Sequence, residues 1–194
     1  MSVMSWKNIY LDNYSYFFTN AIVDKLPVLI YSDNIRAILE LMNYYRAAYR
    51  TKIQAYVIMP THLHMILHSE KGENLRSFVQ NLLRKSAIRI VAHFCKLQGN
   101  ASTEEEAHQV LESFRFHSKT PSKHKVWKRR PKGVPIYSDR IMKLKMDYIH
   151  NNPIRAGLVK EPKDYLYSSF RNYYLNDHSV FEIDCVDILN LKEI

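Results

Sequence analysis

The feature that most constrains this chain lies between residues 52 and 68. KIQAYVIM reads as one β-strand and stops at Pro60, and LHMILH reads as another. Only Met59-Pro60-Thr61-His62 joins them, too short a link for anything but antiparallel neighbours. The flanking sequence then changes period. Residues 33–50 place Ile35, Ile38, Leu39, Leu41 and Met42 on one helix face, with Ser32 or Asp33 as the cap. Residues 74–94 do the same with Leu75, Phe78, Leu82, Leu83, Ile90 and Val91 after Asn74. The aromatic run at 14–20 is a strand, and so are the short stretches 126–127 and 134–137. Ser138 caps a further helix running to about residue 151.

The order strand, helix, strand, strand, helix, strand, helix predicts an α+β fold of the ferredoxin-like plan, an antiparallel sheet with helices packed on one face. The expected domain covers residues 1–176. The polar stretch 98–122 is expected to be an inserted, mobile segment with a short helical patch around 110–114, and 177–194 an acidic tail. At 194 residues, a single domain with a sizeable core is the natural reading.

Charge narrows the function classes. The formal net charge is +9, yet residues 177–194 carry −4, so the first 176 carry +13. Seven of the cations, Lys119, Lys123, Lys125, Lys128, Arg129, Arg130 and Lys132, fall in one stretch without an acid. Such a field draws polyanions, and is equally read as a solvated basic loop. Two cysteines exclude a disulfide framework and a four-cysteine zinc site. No apolar run reaches membrane-spanning length, and the first residues lack the basic-then-apolar order of a signal peptide. The expected location is cytoplasmic.

Two motifs carry chemistry. His62 and His64 are two apart on a strand, so both imidazoles leave the same face while Leu63, Met65 and Leu67 take the other. A pair of imidazoles on a stiff support is a common grip for a divalent metal, although an isolated pair is more often merely polar. His68 lies on the same face, further along. On the helix after Ser138, Ile141, Leu144, Tyr148 and Asn152 follow helical spacing. A phenol and a carboxamide one turn apart can reach a common point. Tyr148 is equally read as core, and Asn152 as the cap of a short helix opened by Pro153, which also biases Asn152 away from helical torsions.

Taken together, AYVIMPTHLHMILH at 55–68, DYIHNNPIRAGLV at 147–159 and DYLYSSFRNYY at 164–174 resemble the single-tyrosine HUH transposases, and within them the REP-associated tyrosine transposases. The likeness covers roughly residues 10–175. The resemblance implies His62 and His64 as metal ligands, Asn152 as the third ligand, Tyr148 as the nucleophile, and Mg2+ or Mn2+ as the ion. It implies single-stranded or hairpin DNA as partner, and nicking with strand transfer through a 5′-phosphotyrosine. Relatives include both swapped dimers and monomers, and the sequence leaves that open. Two departures bear on DNA choice: the length of 98–122, and Trp127-Lys128-Arg129-Arg130-Pro131 where many relatives have a Gly-aromatic-His stretch. Arg84, Lys85 and Arg89 on the second long helix, with Lys128, Arg129, Arg130 and Lys132, are the expected phosphate contacts. Trp127 is expected in the core rather than on a base. The main rival is a domesticated, non-catalytic nucleic-acid-binding protein on the same fold. A zinc hydrolase is a weaker one, because no HExxH and no well-spaced acid is present.

Overall fold

The computed structural model describes residues 10–118, 124–128 and 133–187. The four strands are β1 (Tyr14–Ala21), β2 (Lys52–Met59), β3 (His62–Ser69) and β4 (Gly133–Ile136), and they form one sheet in the order β2-β3-β1-β4. Every described pairing is antiparallel. With α1 (Ser32–Ala48) between β1 and β2, and α2 (Gly72–Leu97) between β3 and β4, this is the ferredoxin-like arrangement.

The alternation of side chains sorts the residues onto two faces. Tyr16 and Phe18 of β1, and Leu63, Met65 and Leu67 of β3, point one way into the main core. There they meet Ile35, Ile38 and Met42 of α1 and Leu75, Phe78 and Leu82 of α2. On β2 the pairing register shifts between Ile53 and Ala55. That extra residue lets Ile53, Tyr56 and Ile58 all join the main core, while Ala55, Val57 and Met59 face the other side.

The opposite face carries a second, smaller core of Phe17, Ala55, Val57, Ile66 and Ile136. Over it lies α4 (Asp139–Arg155), which contributes Met142, Met146 and Ile149. The expectation of helices on one face thus holds for α1 and α2 and fails for α4. The reason is visible in the strands: β1 to β3 have apolar residues on both faces, so both must be covered. α4 begins at Ser138, whose side chain accepts a hydrogen bond from the Ile141 backbone N–H, as a cap should. It does not stop near residue 151. Pro153 sits inside its last turn and is buried, and the helix ends at Arg155, ahead of Gly157 at φ +70°. Proline costs the helix one backbone hydrogen bond there, while the Ala156 N–H still bonds the Asn152 carbonyl and the Leu158 N–H that of Pro153. Leu144, placed on the apolar stripe by spacing, is in fact 57% exposed; the stripe that packs is Met142, Met146 and Ile149.

Two further expectations need correction. The described part of the 98–122 segment is not a loose insertion. It contains α3 (Glu104–Phe116), whose Ala107, Val110, Leu111 and Phe114 are buried in the main core. Glu104, Glu105 and Glu106 are the helix's first turn, where negative charge is stabilised by the helix dipole; the polarity belongs to a helix start. Nor is the chain after residue 176 a free tail, as far as residue 187. Phe181 and Ile183 are buried in the main core. Asp184 exchanges hydrogen bonds with Ile53 at the outer edge of β2, and Ser169, Tyr167, Tyr165 and Tyr173 bond the β2 backbone at Tyr56, Ile58 and Gln54. The remaining acidic residue, Glu193, lies outside the described residues.

Candidate active site

β3 leaves the β2–β3 turn at His62, so its first two outward positions on the α4 side are His62 and His64. Their ring centres are 4.8 Å apart. Each ring is fixed by a threonine on its Nδ1: Thr61 Oγ1 lies 2.9 Å from His62, and Thr19 Oγ1, on the strand partner opposite, lies 2.9 Å from His64. The Nε2 atoms consequently turn toward α4. There Asn152 spans them, its Oδ1 3.2 Å from His62 Nε2 and its Nδ2 3.4 Å from His64 Nε2. One turn earlier on α4, the Tyr148 ring stands 5.1 Å from the His64 ring at 80°. The helix and strand bring together the four residues singled out from two distant motifs.

Burial sets the protonation of the pair. His64 is pushed down to about 3 by loss of solvent, then by the charges of His62 and Lys145. His62 is also lowered by burial and by Lys25, with the Asn152 hydrogen bond opposing. Both imidazoles are therefore neutral near pH 7, and neutral imidazole is the form that offers a lone pair. Two Nε2 atoms and a carboxamide oxygen make three uncharged donors at one point, a fit for a divalent ion that keeps other positions open. Among the described residues, no third His, Cys, Asp or Glu joins them in a metal-holding cluster.

Residues 18–109 match a family model described as IS200-like transposase. The resemblance is to the IS200-like transposases. The matched stretch holds Thr19, Thr61, His62 and His64; Tyr148 and Asn152 lie beyond it. A Haemophilus influenzae protein assigned as a REP-associated tyrosine transposase is 25% identical over 162 residues, spanning 80% of this chain and 78% of the relative. A solved REP-associated tyrosine transposase bound to a REP hairpin is 18% identical, with a TM-score of 0.56 over 99% of both chains, and so shares the fold. A Deinococcus radiodurans crystal structure described as a transposase is 16% identical, with a TM-score of 0.43 over 76% of this chain and 97% of its own.

The expected phosphate contacts are dispersed. Arg84, Lys85 and Arg89 are exposed on α2, which packs on the sheet face away from the histidines, and Arg89 is paired with Glu40 at 2.6 Å. Lys128 is exposed, and its backbone N–H bonds Ala21, the residue paired with His62, so it lies at the histidine end of the sheet. Arg129, Arg130 and Lys132 lie outside the described residues, as do Lys119 and Lys123. Trp127 is 8% exposed and donates its indole N–H to Ser86, a core role as expected. Tyr137 is 64% exposed and stacks edge-on with Tyr14, which pairs with Ser69 at the far end of β3, away from the histidines.

Sequence reasoning overlooked Thr19, Phe17, Lys145 and Arg155. Thr19 and Phe17 reach the site only through strand pairing, which no local pattern announces. Lys145 and Arg155 had a signal: they stand three before and seven after Tyr148, on the same helix stripe.

Proposed function

We propose that this chain is a metal-dependent, single-tyrosine transposase that nicks single-stranded DNA at or beside a short hairpin and transfers the strand through a 5′-phosphotyrosine link. The observation that carries this reading is the approach of the Tyr148 ring to His64, next to a carboxamide that spans both imidazoles. The match of residues 18–109 to IS200-like transposases supports the same class of reaction. A REP hairpin is bound by a solved protein of this fold, which makes short palindromic DNA the substrate to try first.

His62, His64 and Asn152 would hold Mg2+ or Mn2+, which when bound supplies Lewis acidity toward a phosphate oxygen. Tyr148 does the covalent work. Its phenolic oxygen forms a bond to the phosphorus of the scissile phosphodiester, and the bond to the 3′ oxygen breaks. On balance the phenol gives up one proton and the departing 3′ oxygen gains one. The ester retains the energy of the broken bond, so a second 3′-OH can reverse the step on a new partner. Thr19 and Thr61 keep both rings in register, so the donors need no reorganisation when substrate arrives.

The test is trapping. Protein, Mn2+ and end-labelled hairpin DNA with a single-stranded flank should give an SDS-resistant adduct, absent without the ion and absent in Tyr148→Phe. An adduct that survives Tyr148→Phe places the nucleophile elsewhere; a wild-type protein that binds DNA and never forms one returns the non-catalytic rival.

A further inference from the structure

One stripe of α4 faces the site and carries Lys145, Tyr148, Asn152 and Arg155, spaced three, four and three residues apart. Tyr148 and Asn152 already have roles. The two cations do not, and both are seated on the rings that wall the site. Lys145 Nζ lies 4.7 Å from the centre of the Phe17 ring, and the Arg155 guanidinium carbon lies 5.3 Å from the centre of the Tyr148 ring. Phe17 and Tyr148 meet edge to face at 5.8 Å, and Phe17 lies nearly parallel to His64 at 5.5 Å.

Six of the fold's cations are held by ion pairs rather than by rings. Arg36, Arg46, Arg89, Arg115, Lys163 and Arg171 each reach a carboxylate. Among the described residues Lys145 and Arg155 have no such partner. The charges that lower the imidazoles are all positive: Lys25 acts on His62, and His62 and Lys145 act on His64. An aromatic face holds a cation in place by its quadrupole without cancelling its charge. Two positioned, uncompensated cations on either side of Tyr148 therefore make a site for an anion with more than one charged group.

We propose that Lys145 and Arg155 grip the phosphates of the bound strand on the two sides of the bond that Tyr148 attacks. This rests on the strand-transfer reading of the site. Arg155 closes on one side with a planar fork suited to phosphate oxygens, and Lys145 supplies a point charge on the other. The grip selects a single strand laid along α4 and sets the scissile phosphate against the phenol, so both residues are positioning residues with direct substrate contact.

The experiment separates binding from chemistry. In the Tyr148→Phe background, which forms no ester, affinity for labelled hairpin DNA with a single-stranded flank is measured by fluorescence anisotropy across a salt series. Lys145→Gln and Arg155→Gln should each weaken binding about five- to tenfold at low salt, and each should reduce the slope of log affinity against log salt by about 0.7, the value for one phosphate on a single strand. Lys145→Arg and Arg155→Lys should recover most of the slope. Thermal melting of all four should stay with the parent, since both side chains lie at the surface of the site. With Tyr148 restored, the Gln variants should raise KM for adduct formation more than they lower kcat. Unchanged slopes in the Gln variants overturn the grip, whatever the adduct assay shows, because those side chains would then be mere cover for the rings beneath. Slopes that fall while the wild type yields no adduct uphold the grip and sink the catalytic reading instead. A parent protein with no salt-dependent DNA binding sinks both.

Discussion

Acid should unfold this protein through its histidines, well before its carboxylates titrate. His64 and His150 are both 2% exposed. His64 is held down to about 3 and His150 to about 4, in each case chiefly by burial, against 6.5 for an exposed histidine. A histidine kept neutral in the fold contributes stability that is whole above about pH 6.5 and is lost as pH falls toward its folded value, because the unfolded chain takes up the proton first. Between pH 7.5 and pH 5 that difference amounts to about 1.5 pH units at 1.36 kcal/mol each, or about 2 kcal/mol per histidine and about 4 kcal/mol for the two. His62, His68 and His124 are shifted the same way and add to it. The lowered carboxylates, Asp24 and Asp177, start from 3.8 and stay ionised in both states at pH 5, so this window isolates the imidazoles. With a urea dependence of about 2 kcal/mol per molar, the midpoint should fall by about 2 M between these pH values. Equilibrium urea unfolding followed by far-UV circular dichroism measures it. His64→Gln and His150→Gln should each remove about 2 kcal/mol of the pH dependence, whatever they do to absolute stability. A midpoint that moves by less than about 0.5 M, or a full drop that persists in the double variant, would refute the assignment of these rings as buried and neutral.

Thr19→Val removes the hydroxyl on His64 Nδ1 and should weaken Mn2+ binding about 10- to 100-fold by electron paramagnetic resonance titration; a change under threefold would mean the ring is held by packing alone. Phe18→Ala opens the main core at a residue with no exposure and should cost about 3–5 kcal/mol in urea unfolding. Asp184→Ala strips the acceptor from the Ile53 N–H and the partner from Arg46, and should cost about 1–3 kcal/mol while speeding amide exchange at Ile53; unchanged exchange would mean water replaces the carboxylate.

The parts of the fold that were legible in the sequence are those set by local pattern. The strand read at 52–59 is β2, because β-branched and aromatic residues end there at Pro60. The hairpin places His62 and His64 side by side for the same reason: a period of two leaves no other arrangement. Helical spacing likewise put Tyr148 and Asn152 on one face of α4. What escaped depends on competition between local and distant forces. Pro153 argues for a break, yet the helix runs past it to Arg155 with the proline itself buried. Three consecutive glutamates read as part of a mobile insertion with only a short helical patch at 110–114, yet they open a full helix whose Ala107, Val110, Leu111 and Phe114 are buried. Thr19 is an unremarkable strand residue until β1 pairs with β3. The expected phosphate contacts on α2 were chosen by charge alone, and charge does not say which side of a sheet a helix will occupy.

The lacing of residues 165–187 along β2 has a consequence for self-association. An open strand border invites a neighbouring molecule to add its own strand, and unchecked addition ends in fibrils. Here the border groups of Ile53, Tyr56 and Ile58 are already taken by Asp184, Ser169, Tyr167 and Tyr165. At the opposite border β4 includes Pro135, which has no N–H to offer. Two copies could fuse their sheets through β2 only by first pulling Phe181 and Ile183 out of the interior.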